Sequence, residues 1–225
     1  MTTADLPLAH LVQRPRVPAG APPMLVLLHG YGSNEYDLHS LAPYLDERLL
    51  VVSARAPLML MPGSYAWFEI GFYQDEDGQT QIAVDPRQAA LSGATVAEFV
   101  AAAASAYGAD PARVMVGGFS QGASMAAVAA LTRPDLASAV AVLSGIVPSD
   151  LLDAIPQPEK LAGKPFLVAH GTDDAVVPVA HGRASRELLA GLGVDLTYHE
   201  YPGMAHEINL DCLKDLIGWV RARIA

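Results

Sequence analysis

The sequence has a single cysteine, Cys212, which rules out an internal disulfide framework. Cys212 falls in a segment of helical pattern and reads as a buried bystander thiol. Basic residues are scarce too: 14 Lys and Arg stand against 24 Asp and Glu, a formal net charge of −10. Nucleic-acid partners need a basic footprint for their phosphates, and none is present. The same imbalance disfavours docking by charge onto anionic lipid. Long apolar runs are missing; the stretch from Ala137 to Val147 is too short and broken to span a bilayer, so no stable membrane insertion is expected. The N-terminus lacks a basic region followed by an apolar core, so no secretory signal is expected and the cytoplasm is the expected location. No Cys/His cluster has metal-ligand spacing, and no metal is expected.

What is present suits a globule. Apolar residues make up 52% of 225, enough to bury a substantial core in a single domain spanning 1–225, with its core over about 24–225. Strand-like and helix-like segments alternate from Met24 onward, the pattern of an α/β protein with a mostly parallel sheet covered by helices on both faces. Met24 to Leu28, Leu49 to Ser53, Val114 to Val116, Ala139 to Leu143, Phe166 to Ala169 and Thr197 to Tyr201 read as strands, and Leu8 to Val12 as an antiparallel edge strand. Asp85-Pro86 is an N-cap followed by proline, opening a helix that runs to about Tyr107 and stops at Gly108. The last helix is expected to begin near His206, with Leu213, Leu216, Ile217, Val220 and Ile224 on its sheet-facing side.

One segment is irregular. Residues 56–84 hold Pro57, Pro62, Gly63, Gly71 and Gly78 among Met59, Leu60, Met61, Trp67, Phe68 and Phe72. A loop this long inside a domain forms either a wall over a site or a satellite cluster on a sheet edge. Its tip, Asp75-Glu76-Asp77-Gly78, is expected to face solvent.

Gly118-Phe119-Ser120-Gln121-Gly122 fits G-x-S-x-G, with a β-branched run before it and helix formers after it. A strand turning sharply into a helix lifts the serine hydroxyl clear of the sheet. A serine needs a base, and the base needs an orienting carboxylate. On such a sheet these follow at later strand ends, in the order Ser, Asp or Glu, His. The His170 to Pro178 loop offers Asp173 and Asp174; Asp174 is the favoured acid, leaving Asp173 to cap the next helix or face solvent. His206, at the end of Tyr201-Pro202-Gly203-Met204-Ala205-His206, stands third in that order. His29 and His170 lie at strand ends, where structural hydrogen bonding is expected. Acyl transfer also needs oxyanion donors. The backbone amide after the serine, at Gln121, would be one, and the amide of Tyr31 in His29-Gly30-Tyr31-Gly32-Ser33 the other.

Together these blocks resemble the phospholipase/carboxylesterase family of α/β-hydrolases. The resemblance is carried by Leu28 to Gly32, Trp67-Phe68-Glu69, Gly117 to Gly122, the His170 to Pro178 segment and Gly203 to His206. It implies Ser120 as nucleophile, Asp174 as acid, His206 as base and Tyr31 and Gln121 as the oxyanion hole. It also implies that Trp67, Phe68 and Val176 contact substrate. The family often has leucine at the position of Tyr31, so the acyl pocket is reshaped there. No cofactor is implied; the expected partner is a small-molecule ester, and a homodimer is left open. The expected activity is a serine carboxylesterase for small to medium acyl groups. The alternatives are a long-chain acyl thioesterase or lysophospholipase, and a non-catalytic hydrolase-fold binding module.

Overall fold

Met24 to Leu28 is buried at every position, as a strand covered on both faces must be. Its side chains part by alternation: Met24, Val26 and Leu28 join one apolar cluster, Leu25 and Leu27 the other. This strand lies near the middle of the sheet in a computed structural model that describes residues 5–17, 20–74, 80–149 and 155–224.

The main sheet is built from β1 (His10–Gln13), β2 (Met24–Leu28), β3 (Leu50–Ala54), β8 (Val114–Phe119), β9 (Ala139–Leu143), β10 (Pro165–Gly171) and β11 (Asp195–Tyr201), with β4 to β7 lying outside it. Its order is β1-β3-β2-β8-β9-β10-β11. β1 runs antiparallel to β3 at one edge and the remaining pairs are parallel. The expected strands are all there; β8, β10 and β11 are two or three residues longer than their apolar runs, and β1 begins two residues later than expected.

Helices α2 (Pro86–Tyr107), α3 (Gln121–Thr132) and α4 (Val179–Gly191) cover one face. The short α1 (Tyr36–His39) and α5 (Leu210–Arg221) cover the other. The Asp85 side chain caps α2 at the Arg87 amide, and Gly108 ends it in the left-handed conformation at φ 67°. By length and composition α2 could cross a bilayer, a property that a search for unbroken apolar runs passes over. Here Val96, Phe99, Val100 and Ala103 are buried in the core.

Two expectations are corrected. α5 starts at Leu210, four residues beyond His206, because the Asn209 side chain accepts from the Cys212 amide and caps it there. His206 therefore sits in a loop. Residues 56–84 are not an irregular loop but two antiparallel hairpins, β4 (Leu58–Met61) with β5 (Ser64–Ala66), and β6 (Ile70–Gln74) with β7 (Thr80–Val84). The tip at 75–78 lies outside the described residues.

Candidate active site

Ser120 occupies the turn between β8 and α3 at φ 55° and ψ −119°, a backbone region that non-glycine residues rarely adopt. Its amide donates to the Leu143 carbonyl at 2.9 Å, so β9 holds the turn from the side. Gly122 lets the turn lie against β2: a Cβ there would stand 2.1 Å from the Leu28 carbonyl oxygen and 2.5 Å from that of His29.

The Ser120 hydroxyl lies 2.9 Å from His206 Nε2, and His206 Nδ1 lies 2.7 Å from Asp174 Oδ2. An ionised carboxylate only accepts, so Nδ1 carries the proton and Nε2 turns its lone pair to the serine. Asp174 is buried behind the imidazole. Its Oδ1 accepts from the amides of Val176 at 2.9 Å and Val177 at 2.7 Å, which fixes the carboxylate plane. Asp173 is exposed and takes a hydroxyl hydrogen bond from Thr172; it does not cap α4, whose N-cap is Pro178. The loops after β10 and β11 touch closely: a Cβ on Gly171 would stand 2.0 Å from the Met204 carbonyl oxygen. That approach delivers acid and base to the serine from separate strands. The ring of Phe119 packs against His206 at 4.8 Å between centroids.

The amides of Tyr31 and Gln121 have no acceptor among the described residues, although each flanks the serine. Neighbouring groups hold the loop that carries Tyr31. Gly32 donates to the Tyr65 carbonyl at 2.9 Å, and the Tyr65 amide returns a bond to Ser33 at 2.8 Å. The Arg55 guanidinium pairs in two-pronged fashion with buried Glu35. Burial is the largest influence and would raise the Glu35 carboxyl, but the Arg55 guanidinium, a backbone hydrogen bond and nearby His29 together bring the net shift downward. His29 is buried and serves structure: Nδ1 lies 2.7 Å from the Gly30 carbonyl, and Nε2 accepts from the Ala56 amide at 3.0 Å. Burial lowers its pKa, so it stays neutral. His170 is likewise internal, with Nε2 on the Val177 carbonyl at 2.7 Å.

A cavity of ≈ 600 Å³ opens over Ser120, lined by the exposed Tyr31, Asp37, Val84 and Val176 and by the more buried Phe68 and Ile146. An apolar recess of ≈ 270 Å³ between α2 and α3, walled by Ala89, Ala90, Met125 and Val128, adjoins it and shares Phe68 and Ile146 with it. Phe68 and Val176, expected to contact substrate, are among the residues that line the cavity over Ser120. Trp67 does not: it is fully buried one layer behind the wall, and its indole Nε1 donates to the His29 carbonyl at 2.8 Å. The Gln121 carboxamide, unread in the sequence beyond its backbone, also faces inward. Its Oε1 accepts from the Trp67 amide and its Nε2 donates to the Phe68 carbonyl, each at 2.8 Å. The one signal for it in the sequence is a glutamine heading the mostly small and apolar run from Gly122 to Leu131. Among the described residues no cluster of His, Cys, Asp or Glu could hold a metal ion.

Comparison with known proteins adds a lineage to this geometry. The phospholipase/carboxylesterase family pattern matches residues 9–224. An acyl-protein thioesterase 1 of Gibberella zeae is 32% identical over 116 residues, covering 51% of this chain and 49% of that protein. The carboxylesterase SOBER1 of Arabidopsis thaliana is 35% identical over 121 residues, covering 53% and 52%. The chain thus spans about half the length of these curated relatives. The crystal structure of esterase PE8 superimposes with a TM-score of 0.76 at 28% identity, covering 98% of this chain and 100% of that one.

Proposed function

The chain belongs to the phospholipase/carboxylesterase family, and on that premise we propose that it is a serine hydrolase of carboxylic esters. The observation that carries the reading is the unbroken hydrogen-bonded line Ser120–His206–Asp174 beside two unsatisfied backbone amides. Ser120 Oγ attacks the acyl carbon while His206 Nε2 takes its proton. Asp174 stabilises the imidazolium that forms and stays ionised. The tetrahedral oxyanion accepts from the amides of Tyr31 and Gln121, which have no competing acceptor among the described residues. Collapse expels the alcohol or thiol, which takes the proton from His206. Water, deprotonated by the same imidazole, then attacks the acyl-enzyme and releases the carboxylic acid and Ser120.

The recess between α2 and α3 supports an acyl group of small to medium length. Its walls are apolar and it adjoins the cavity over Ser120, with Phe68 and Ile146 common to both. Each methylene buried there adds up to about 0.8 kcal/mol of binding, so kcat/KM should climb with chain length until the recess is full. The long-chain thioesterase reading shares the triad and draws on a relative of that name.

Both are tested with p-nitrophenyl esters from acetyl to palmitoyl, run beside a palmitoyl thioester on the wild type and on Ser120→Ala. The expected result is an optimum at short or medium esters and a loss of several orders of magnitude in the variant. Faster turnover of the palmitoyl thioester would favour the second reading. A Ser120→Ala protein that keeps most of its activity would sink both.

A further inference from the structure

The two amides assigned to the oxyanion lie on different parts of the fold. Gln121 opens α3, while Tyr31 belongs to the loop after β2. Both must point at one oxygen atom, so their separation has to be fixed to a fraction of an ångström. Within its own loop, the Tyr31 amide is framed by a Ser33-to-Gly30 backbone hydrogen bond of 3.3 Å. That is a long bond for such a task.

A third segment, Tyr65 to Phe68, bridges the two. On one side it holds the Tyr31 loop at both ends, through the paired bonds between Tyr65 and Gly32/Ser33 and through the Trp67 indole on the His29 carbonyl. On the other side it is gripped by the Gln121 carboxamide, which takes the Trp67 amide and the Phe68 carbonyl together. The Trp67 carbonyl is tied in turn to the Ser92 hydroxyl on α2. Trp67 is fully buried and Gln121 is buried at 5% exposure, so water does not compete for these bonds.

We propose that the side chains of Gln121 and Trp67 are positioning residues that set the distance between the two oxyanion donors. Gln121 then acts twice, offering its amide to the oxyanion and using its carboxamide to register the opposite donor through Trp67. Neither side chain touches substrate. The inference rests on the ester-hydrolase reading and gives the residue behind the cavity wall a part in it.

The test compares wild type with Gln121→Leu, Trp67→Phe and the double variant, using one p-nitrophenyl ester and a trifluoromethyl ketone that forms a tetrahedral oxyanion adduct. Replacing Trp67 by benzothienylalanine keeps a bicyclic aromatic ring of nearly the same shape and exchanges the N–H donor for sulfur, which guards against a folding defect. Each single change should lower kcat about tenfold to a hundredfold with KM nearly unmoved. Affinity for the ketone should fall by the same factor as kcat/KM. The double variant should lose little beyond the worse single one, because both act along one chain of contacts. Unchanged kcat, a change confined to KM, or losses that multiply in the double variant would overturn the proposal while leaving the hydrolase reading intact. Wild type without Ser120-dependent turnover would overturn the hydrolase reading and this proposal with it.

Discussion

His29 shows how a buried side chain couples the site to pH. Burial lowers its pKa from the ordinary 6.5, and its Nε2 lone pair is engaged by the Ala56 amide. The unfolded chain therefore takes up this proton before the folded chain does. Stability is fully present above pH 6.5 and declines as the pH falls toward the depressed folded value. His39, also lowered by burial, adds to the same slope. A His29→Gln variant should unfold in urea with a flatter dependence on pH between 7 and 5 than wild type, though not a flat one. An identical slope in the two proteins would show that His29 does not carry a depressed pKa. The effect belongs to the same loop that holds Tyr31, so acid should loosen the site before it unfolds the sheet. At this scale Ser120, Asp174 and His206 were readable as a set because each stands at a strand end in a fixed order along the chain. Trp67 differs: the family resemblance implies a substrate contact, yet the indole is fully buried behind the cavity wall, and the direction of a side chain does not show in a linear sequence. The Gln121 side chain went unread because its partners, Trp67 and Phe68, lie more than fifty residues away.

Element boundaries were legible where a capping residue and the hydrophobic period agreed. Asp85-Pro86 and Gly108 bracket α2 as expected because both ends carry local chemistry. α5 begins four residues later than the apolar period suggests, because that period does not mark where a helix begins and Asn209 sets the start. The two hairpins were hidden by composition: Leu58 to Met61 has no polar alternation, and its residues are half-exposed or exposed. The cap has a measurable weight. Asn209→Ala should cost about 1 kcal/mol in urea or thermal unfolding, the usual loss when an N-cap acceptor is removed. Ester turnover should stay near wild type, because His206 is held by Asp174 and by the loop contacts between Gly171 and Met204, not by α5. A stability loss near zero would mean that packing of Leu216, Trp219 and Val220 alone sets the helix start.

Across the whole molecule, alternation along the strands ties the two apolar clusters to one sheet. Met24, Val26, Val116 and Val140 face α2, α3 and α4, while Leu25, Leu27, Met115 and Ala141 face α1 and α5. Neither face can lose its strands without exposing the other, so the chain should unfold as one cooperative unit. Its 225 residues exceed the size at which such behaviour is the rule, which makes the expectation discriminating. The two tryptophans supply the probes, since Trp67 lies in the first cluster and Trp219 in the second. Trp219→Phe leaves fluorescence reporting only on the α2–α3 face, and Trp67→Phe leaves it reporting only on the α5 face. In each variant the urea midpoint by fluorescence should coincide with the midpoint by far-ultraviolet circular dichroism. A fluorescence transition that precedes the loss of secondary structure in one variant would show that its face detaches first. The α5 face would be the weaker of the two, because its helices are fewer and α1 is a single turn, and His206 would be released with it, since Met204 and Phe119 pack in that cluster.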